Sequence, residues 1–321
     1  MPHEHYKCVI LLPHLRIQAA NAISSPMTWG FPAPSAFTGF AHALERRLRG
    51  AGRDLRFHGV GVVCHSAQPQ MAAGTGFAPR AFSLTRNPVD EHGNTAAIVE
   101  EGRVHLTVSL LLTVHGTDAP TNDSLAGKLA DGLMEHALGM RLAGGSVFRG
   151  EVPRNVRTRG WVSNNFADED PQVPRIMRQL LPGFALVSRA ELLTEHLEEL
   201  RATRPDATTL DALLDFARLH YHAPAPGADE EAEAEWPDSK RVKPGWFVPI
   251  AAGYGAISEL HAPGAVTGAR DRTVPFRFVE SLLSLGQWLS PHRIKSIEDL
   301  LWRHQAEPDA GLYRVVNQYQ S

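Results

Sequence analysis

Residues 104–114 alternate between apolar and polar side chains more regularly than any other segment of the chain. One set of alternate positions holds Val104, Leu106, Val108, Leu110, Leu112 and Val114. The other set holds His105, Thr107, Ser109, Leu111, Thr113 and His115. Because successive side chains of a β-strand point to opposite faces, this alternation predicts a strand with one buried face and one polar face. The fold must therefore contain a sheet that packs on a core.

The elements around this strand predict an α+β fold. Residues 8–12 and 57–64 are apolar runs typical of buried strands. Helices are predicted after Ser35, which we expect to cap the first of them, and over about 123–138. The order strand, helix, strand, strand, helix, with a long insert before the third strand, is most of a ferredoxin-like or RNA-recognition-type βαββαβ unit. The sheet of such a unit often presents an open face to RNA.

The insert, residues 65–103, is polar and carries turn signals at Asn87-Pro88 and His92-Gly93-Asn94. This composition predicts a projecting β-hairpin, which we call the thumb and place at about 66–103. The first strand is predicted to end early, with residues 13–34 forming a long irregular stretch that holds several prolines. We therefore divide the chain into an RNA-recognition-like core over 1–150, including the thumb, and an α/β extension over 151–321 that completes the body.

Five further elements are predicted in the extension. Ser188 and Glu191 have the spacing of a capping box, which would open a helix over 189–201. The other four are a helix over 209–219, a solvated linker over 223–241, a strand over 246–250 and an amphipathic helix over 277–289.

The formal net charge of −3 argues mildly against a nucleic-acid partner, but the charge is segregated. A run of five carboxylates lies within residues 229–235, and without it the chain carries a small positive charge. Only five of the 32 basic residues are lysine. Arginine is the fork-shaped donor that suits phosphates and base edges, although a GC-rich genome would also favour its codons. The composition therefore leaves nucleic-acid binding open.

The sequence lacks the motifs of common catalytic and cofactor sites. It contains no H-E-x-x-H, C-x-x-C, G-x-S-x-G or Walker loop, and no cofactor or metal site is predicted. Cys8 and Cys64 lack metal spacing, so we expect two buried, reduced thiols in a cytoplasmic protein. No run approaches the roughly 20 apolar residues of a transmembrane helix, so no membrane partner is expected. His14, just after the first strand, is the one histidine weighed as a catalytic group.

Several arginines, glycines and polar residues are candidates for RNA contact. Arg141, Gly144, Gly145 and Ser146 join an arginine and a hydroxyl to a loop whose backbone could approach a phosphate closely, although a helix C-cap and turn would also explain them. The other candidates are Arg80, Arg86 and Asn87 in the thumb, Arg270 and Arg272, and Asn21, Ser25 and Trp29 in the first long loop. For these, surface solvation, an Asp271–arginine pair and a core position for Trp29 remain the alternatives. A basic cluster over 149–159 is suggested by charge alone.

Long strings of residues resemble a known family. They include Leu11-Leu-Pro-His-Leu-Arg-Ile-Gln18, Asn21-Ala-Ile-Ser-Ser-Pro-Met-Thr-Trp-Gly-Phe-Pro32, Leu84-Thr-Arg-Asn-Pro88, Thr95-Ala-Ala-Ile-Val-Glu-Glu-Gly-Arg103, Met140-Arg-Leu-Ala-Gly-Gly-Ser146, Leu181-Pro-Gly-Phe-Ala-Leu-Val-Ser-Arg189, Ala269-Arg-Asp-Arg272, Trp288-Leu-Ser-Pro-His-Arg293 and Ala306-Glu-Pro-Asp-Ala-Gly-Leu-Tyr-Arg314. Strings of this length in this order resemble the Cas-five-type, or second Csy, subunit of the type I-F CRISPR surveillance complex (the Csy complex, a form of Cascade), in the RAMP superfamily. Two stretches, 149–178 and 223–241, match no string of the family.

The resemblance implies a non-catalytic, RNA-binding subunit of an antiviral ribonucleoprotein. It implies pairing with the large subunit, contact with the first backbone subunit, and a grip on the 5′ handle of the CRISPR RNA (crRNA) that caps the filament. It leaves open a contact with target DNA near the protospacer-adjacent motif. The thumb maps best onto 74–103. The alternative function is a metal-independent endoribonuclease of the same superfamily that processes repeat RNA with His14.

Overall fold

A computed structural model describes residues 6–72, 80–82, 84–85, 89, 92–95, 99–163, 166, 170–218 and 242–319. The α+β class is confirmed: a large antiparallel sheet carries helices packed on it. Parts of the predicted thumb, including Arg86 and Asn87, and all of the predicted linker 223–241 lie outside the described residues. The domain boundary at residue 150 stays a prediction.

The strands and helices are numbered in chain order. The strands are β1 (Cys8–Asn21), β2 (Ile23–Ser25), β3 (Thr28–Trp29), β4 (Arg56–Pro69), β5 (Met71–Ala72), β6 (Ala81–Phe82), β7 (Leu84–Thr85), β8 (Val99–Glu100), β9 (Arg103–His115), β10 (Arg141–Leu142), β11 (Gly145–Arg149), β12 (Arg159–Val162), β13 (Phe184–Ser188), β14 (Trp246–Ala256), β15 (Val279–Leu289), β16 (Leu301–Glu307) and β17 (Leu312–Asn317). The α-helices are α1 (Pro34–Gly50), α2 (Asp123–Leu138), α3 (Gln172–Gln179), α4 (Ala190–Arg201) and α5 (Thr209–Ala217). Two 3₁₀ turns span Pro291–Arg293 and Glu298–Leu300.

The N-terminal half of the sheet has the strand order β11–β1–β9–β4, with every neighbouring pair antiparallel. Helices α1 and α2 pack on one face through their apolar stripes and form the main core with the strands. Helix α1 begins at Pro34 rather than after a Ser35 cap, and Ala33 at its N-cap position provides no side-chain bond. The expected cap is therefore wrong. Pro34 occupies the first helical position, which suits a helix start, so that Ser35 already lies inside the helix.

Strand β9 is confirmed as a strand, but its second face is not open along its whole length. Ser109, Leu111 and Thr113 are buried, whereas His105 and Thr107 are partly exposed. A second hydrophobic cluster, built largely from β13, α3 and the segment 289–301, includes Leu111 and covers this end of the face. The prediction of one polar face is thus wrong for residues 109–113, because a later segment packs there.

Strand β1 continues to Asn21, so the predicted irregular stretch over 13–34 is wrong in its first part. The pairing with β9 slips by one residue between Leu12 and Leu15 and again between Ile17 and Ala20. His14 and Ala19 lie inside these slips with positive φ of 46° and 56°, which marks them as β-bulges. The irregular alternation of the sequence here is therefore the effect of two bulges in a continuous strand.

The C-terminal half of the sheet closes on itself. From β4 the strand order runs β13, β15, β14, β17 and β16, and β16 pairs back onto β4 at Val60 and Gly61. The predicted helix over 277–289 is wrong, because β15 occupies Val279–Leu289 and pairs with β13 and β14. Trp302 fills the inside of this ring where β16 meets β4, and its indole N–H donates to the Leu186 carbonyl at 2.8 Å.

Helices α4 and α5 cover the outer side of β14 and β15 through a third apolar cluster. The predicted helix over 189–201 is confirmed, but its capping box is wrong: the N-cap residue is Arg189, and its guanidinium binds Glu191. A capping box does open α5, where Thr208 and Asp211 bond each other's backbone N–H groups. Predicted strand 246–250 is confirmed as the beginning of β14.

Candidate nucleic-acid interface

The short hairpin β10–β11 lies along the end of β1 and brings five predicted residues together. Arg141 pairs with Ser146 across the hairpin, and Ser146 pairs in turn with Gln18 of β1. The Asn21 backbone N–H donates to the Ala143 carbonyl at 2.8 Å. We call Asn21, Arg141, Gly144, Gly145 and Ser146 the hairpin surface. The alternative of a helix C-cap and turn also describes this segment, because Gly139 is the C-cap residue of α2 and Gly144 belongs to the hairpin turn.

The turn of this hairpin exposes its polar groups. Ala143 and Gly144 both have positive φ, 49° and 77°, as a two-residue β-hairpin turn requires. The Arg141 guanidinium is exposed and forms no hydrogen bond or ion pair with any described residue. Ser146 and Gly144 are exposed as well, and no atom of the described residues lies within 4 Å of the point where a Gly144 Cβ would stand. A free guanidinium thus lies beside open backbone.

Gly145 has the opposite environment and fixes the hairpin to β1. It is buried, and an added Cβ would lie 2.7 Å from the Gln18 carbonyl oxygen and 2.8 Å from the Ala20 nitrogen. Only glycine allows this approach of the two backbones. The role of Gly145 is therefore to position Arg141 and Ser146.

Three polar side chains outside the predicted site residues hold the second bulge of β1 next to the hairpin surface. The Ala19 backbone N–H donates to Nδ1 of His105 at 3.2 Å, and the Ala19 carbonyl accepts from Arg103 at 3.4 Å. Gln70 contacts the other ring nitrogen of His105 at 2.6 Å, and Arg103 is also paired with Glu101. The alternation of β9 in the sequence includes His105, but its contact with the Ala19 backbone could be identified only from the bulge in β1.

Ser25 and Trp29 lie in the small hairpin β2–β3, which follows directly on Asn21. Ser25 is buried, and its hydroxyl bonds that of Thr28 at 2.8 Å. Trp29 is 62% exposed, so its placement as a core residue is wrong, and it meets the edge of Phe82 with ring centroids 5.7 Å apart. The Asn21 side chain bonds both backbone groups of Ile23 and closes the connection.

The described part of the thumb contains two short antiparallel pairs, β5–β6 and β7–β8. Arg80, just before β6, is exposed and forms no bond or ion pair with the described residues. Phe82 in β6 connects this segment to Trp29. Contacts of the described residues thus link the start of the thumb to the hairpin β2–β3.

Arg270 and Arg272 lie elsewhere, in the long loop that joins β14 to β15. Both are exposed, and this loop leads into a strand rather than the expected helix. The expected pairing of Asp271 with an arginine is wrong, because its carboxylate accepts the backbone N–H and hydroxyl of Thr273 at 2.8 and 2.7 Å. These two bonds lower the pKa of Asp271. The two arginines form a separate basic surface with no bond to the hairpin surface among the described residues.

The basic cluster over 149–159 is partly neutralised. Arg149 pairs with Glu135 at 2.7 Å, and the Arg159 guanidinium lies 5.4 Å from the Trp161 ring centre. Arg154 and Arg157 are exposed and form no ion pair with the described residues. The cluster borders a groove of about 640 Å³ against α2 that also contains acidic side chains.

Comparison with known proteins agrees with the resemblance stated above. The family model described as CRISPR-associated protein (Cas_Csy2) matches residues 10–315. The chain belongs to the Cas_Csy2 family. It is similar to CRISPR-associated protein Csy2 of Pseudomonas aeruginosa (strain UCBPP-PA14), with 52% identity over 314 residues that cover 96% of this chain and 94% of that protein. The expected relation to the second Csy subunit is therefore confirmed at the level of the family.

His14 of this Cas_Csy2 chain is buried and pairs with the partly buried His65. Its ring stacks on that of His65 with centroids 3.9 Å apart, and its Nε2 has no partner among the described residues. His65 is bonded at both ring nitrogens, to the Pro182 carbonyl and, at 2.7 Å, to the Ser109 hydroxyl. Burial, with a smaller effect of His65, lowers the pKa of His14 to about 4. Burial also lowers the pKa of His65, against the opposing effect of the Pro182 bond.

The histidine pair predicts a pH-dependent stability for the Cas_Csy2 chain. Because the folded-state pKa values lie below the unfolded value of about 6.5, the unfolded chain binds more protons in the interval between them. We expect the contribution of this pair to the free energy of unfolding to be constant above about pH 7 and to fall as the pH decreases from about 6.5 towards 4. Urea unfolding at several pH values, with His14→Asn as a non-titrating variant that tolerates positive φ, measures this. Equal slopes for the two proteins would contradict the prediction.

Neither a metal centre nor a membrane span is found in the part of the Cas_Csy2 chain that the structure describes. No group of three or more His, Cys, Asp or Glu side chains there could hold a metal ion. No described helix is both long enough and apolar enough to cross a bilayer. Cys8 is buried, Cys64 is partly buried, and both are free thiols.

Proposed function

We propose that this chain is a subunit of the type I-F Csy complex and that its hairpin surface binds the 5′ handle of the CRISPR RNA in antiviral defence. The observation that carries the proposal is the exposed Arg141 guanidinium, free of ion pairs among the described residues, beside the open backbone of Gly144. A guanidinium donates two parallel hydrogen bonds to a phosphate. Backbone without a Cβ lets the sugar-phosphate chain approach closely.

The surroundings of the hairpin surface suit single-stranded RNA. Trp29 exposes its aromatic ring beside the partly buried Phe82, and unpaired bases can stack on an exposed ring of this kind. Arg80 adds a second guanidinium without a partner among the described residues, and we extend the proposed RNA path to Arg86 and Asn87 in the thumb. Ser25 supports this path by holding the hairpin β2–β3, whereas Arg270 and Arg272 would contact a different stretch of nucleic acid.

The proposed role is structural rather than catalytic. A general base works best with a pKa near the operating pH, and His14 has a pKa of about 4. Its Nε2 is also buried and lies against another imidazole rather than in an open cleft. These features favour RNA binding over the alternative of an endoribonuclease that processes repeat RNA.

The proposal extends to the partners of the complex. We infer that the chain pairs with the large subunit and contacts the first backbone subunit, so that it caps the filament in the cytoplasm. The strand order β11–β1–β9–β4, antiparallel throughout, supports a ferredoxin-like core of the RAMP type. A contact with target DNA near the protospacer-adjacent motif would fit the separate basic surface at Arg270 and Arg272.

Arg141→Ala tests the proposal directly. We expect its affinity for a labelled CRISPR RNA to fall roughly ten-fold, because a hydrogen bond to a charged group contributes about 1.5 kcal/mol or more. The salt dependence of binding should also weaken by about one released counterion. Fluorescence anisotropy at two salt concentrations measures both quantities.

Arg46→Ala is the matched control, because Arg46 is also exposed and without a partner among the described residues, but lies on α1. It should bind RNA like the wild type. Equal affinities for Arg141→Ala and Arg46→Ala would contradict the assignment of the hairpin surface.

A further inference from the structure

An aromatic cavity of about 440 Å³ opens at one end of the closed ring of strands. Its walls come from β4, β13, β14 and β15, and the segment 28–33 lies across it. Five aromatic side chains line it: Trp29, Phe31, Phe184, Trp246 and Trp288. Pockets that bind a partner group are commonly found at the mouths of such closed sheets.

Three of these rings are exposed at the rim, namely Trp29 at 62%, Trp246 at 50% and Phe184 at 45%. They are held in place by other rings: Phe184 meets Trp246 at 5.4 Å, and Trp246 meets Trp288 at 6.0 Å between centroids. Phe31 contacts Trp288 from the opposite wall at 4.9 Å. A concentration of exposed aromatic rings around one cavity is typical of a binding site rather than of an ordinary surface.

The cavity offers few free polar groups. The Thr28 hydroxyl bonds Ser25, the Ser24 hydroxyl bonds the Phe31 carbonyl, and both nitrogens of His65 are bonded. None of the lining residues that the structure describes is lysine, arginine, aspartate or glutamate. Burial raises the pKa of the Cys64 thiol to about 12, so it is neutral. An RNA base would bring its flanking phosphates to a site without a cation, whereas an apolar protein side chain would bury only apolar surface.

We propose that the aromatic cavity receives an apolar side chain, aromatic or branched aliphatic, from the large subunit of the complex. The inference rests on the proposed function, because it specifies where that subunit docks. Tryptophan-rich pockets that exclude water are the usual centres of binding energy in protein interfaces. Trp29 belongs both to the cavity rim and to the hairpin β2–β3, whose backbone is bonded to Asn21. The docked subunit would therefore border the RNA on the hairpin surface.

The test uses the complex assembled by co-expression of all its protein subunits with CRISPR RNA. In one variant, Phe184→Ser and Trp246→Ser together remove the rim. In a second, Ala67→Trp fills the cavity from an exposed position of β4 without removing any existing contact. We expect both variants to lose at least nine-tenths of the large subunit from the purified assembly. Their affinity for CRISPR RNA alone should stay within two-fold of the wild type.

Three results would overturn the proposal. Wild-type amounts of the large subunit with both variants would show that the cavity does not receive it. A ten-fold loss of RNA affinity with the large subunit retained would identify a nucleobase as the occupant. Retained assembly with a lowered unfolding midpoint for the rim variant would identify a segment of this chain itself. Failure of the proposed RNA function would give a different pair of results. Arg141→Ala would then leave the affinity for RNA unchanged, while the cavity variants would still lose the large subunit.

Discussion

Trp302→Ala is expected to lower the free energy of unfolding by about 3–5 kcal/mol, as for other fully buried tryptophans. Trp302 is 1% exposed and fills the inside of the ring where β16 pairs with β4. The change would leave a cavity and remove the bond to the Leu186 carbonyl. Since whole domains are stable by about 5–15 kcal/mol, a loss of this size would unfold a large fraction of the chain under mild denaturing conditions. Urea titration followed by circular dichroism measures it.

Two further variants separate the reasons for this loss. Trp302→Phe keeps most of the volume and removes the indole N–H, so we expect a cost of about 1–3 kcal/mol. Trp29→Ala makes the same change as Trp302→Ala at an exposed position, and should cost less than about 1 kcal/mol. If Trp302→Ala were no more destabilising than Trp29→Ala, the closure of the ring at β16 and β4 would be wrong.

Gly145→Val is expected to lower stability by about 3 kcal/mol and to weaken RNA binding at least as much as Arg141→Ala does. The new side chain would overlap the Gln18 carbonyl and the Ala20 nitrogen, so that β11 must move away from β1. The variant retains every charge of the hairpin surface. A loss of RNA affinity would therefore report on the position of Arg141 rather than on its presence.

Gly144→Ala is the matched control for this steric effect. Within the described part of the chain, no atom lies within 4 Å of its added Cβ, and the positive φ of 77° is what opposes the change. We expect a cost of about 1 kcal/mol for placing alanine in this conformation. Equal destabilisation by Gly144→Ala and Gly145→Val would contradict the packing of the hairpin on β1.

The sequence predicted best those elements whose apolar residues keep one period throughout. Helix α2 was predicted as 123–138 and spans Asp123–Leu138. Strand β9 was predicted over 104–114 and spans Arg103–His115. In both, the apolar spacing continues without interruption, and local pattern and tertiary packing therefore agree.

Strand β15 was predicted as a helix because its apolar residues face more than one environment. Leu285 packs against α4 and α5, Trp288 packs against the main core, and Leu289 belongs to the second cluster. A strand with both faces buried loses its alternation, and its apolar residues then fall by chance at helical spacing. The surrounding layers could not be known from the segment itself.

The residues of the candidate site were largely visible in the sequence, but their grouping was not. Arg141, Gly144 and Ser146 form one short string, and the prediction kept them together. Asn21 joins them only because β1 runs beyond its two bulges to meet Ala143. The aromatic cavity draws Trp29, Phe184 and Trp246 from three distant segments, so no local pattern could indicate it.

The two bulges of β1 determine where this strand can vary in length among related chains. The residues of β1 that face the main core are Cys8, Ile10, Leu12, Leu15, Ile17 and Ala20. They are two residues apart except across the bulges, where they are three apart, so each bulge adds one residue that has no partner of its own on β9. Loss of His14 or Ala19 would leave all remaining pairs with β9 in place, at the cost of that bulge's own hydrogen bonds. Loss of a residue between the two bulges would instead turn part of the strand inside out. Natural one-residue deletions in this strand should therefore occur at the two bulges.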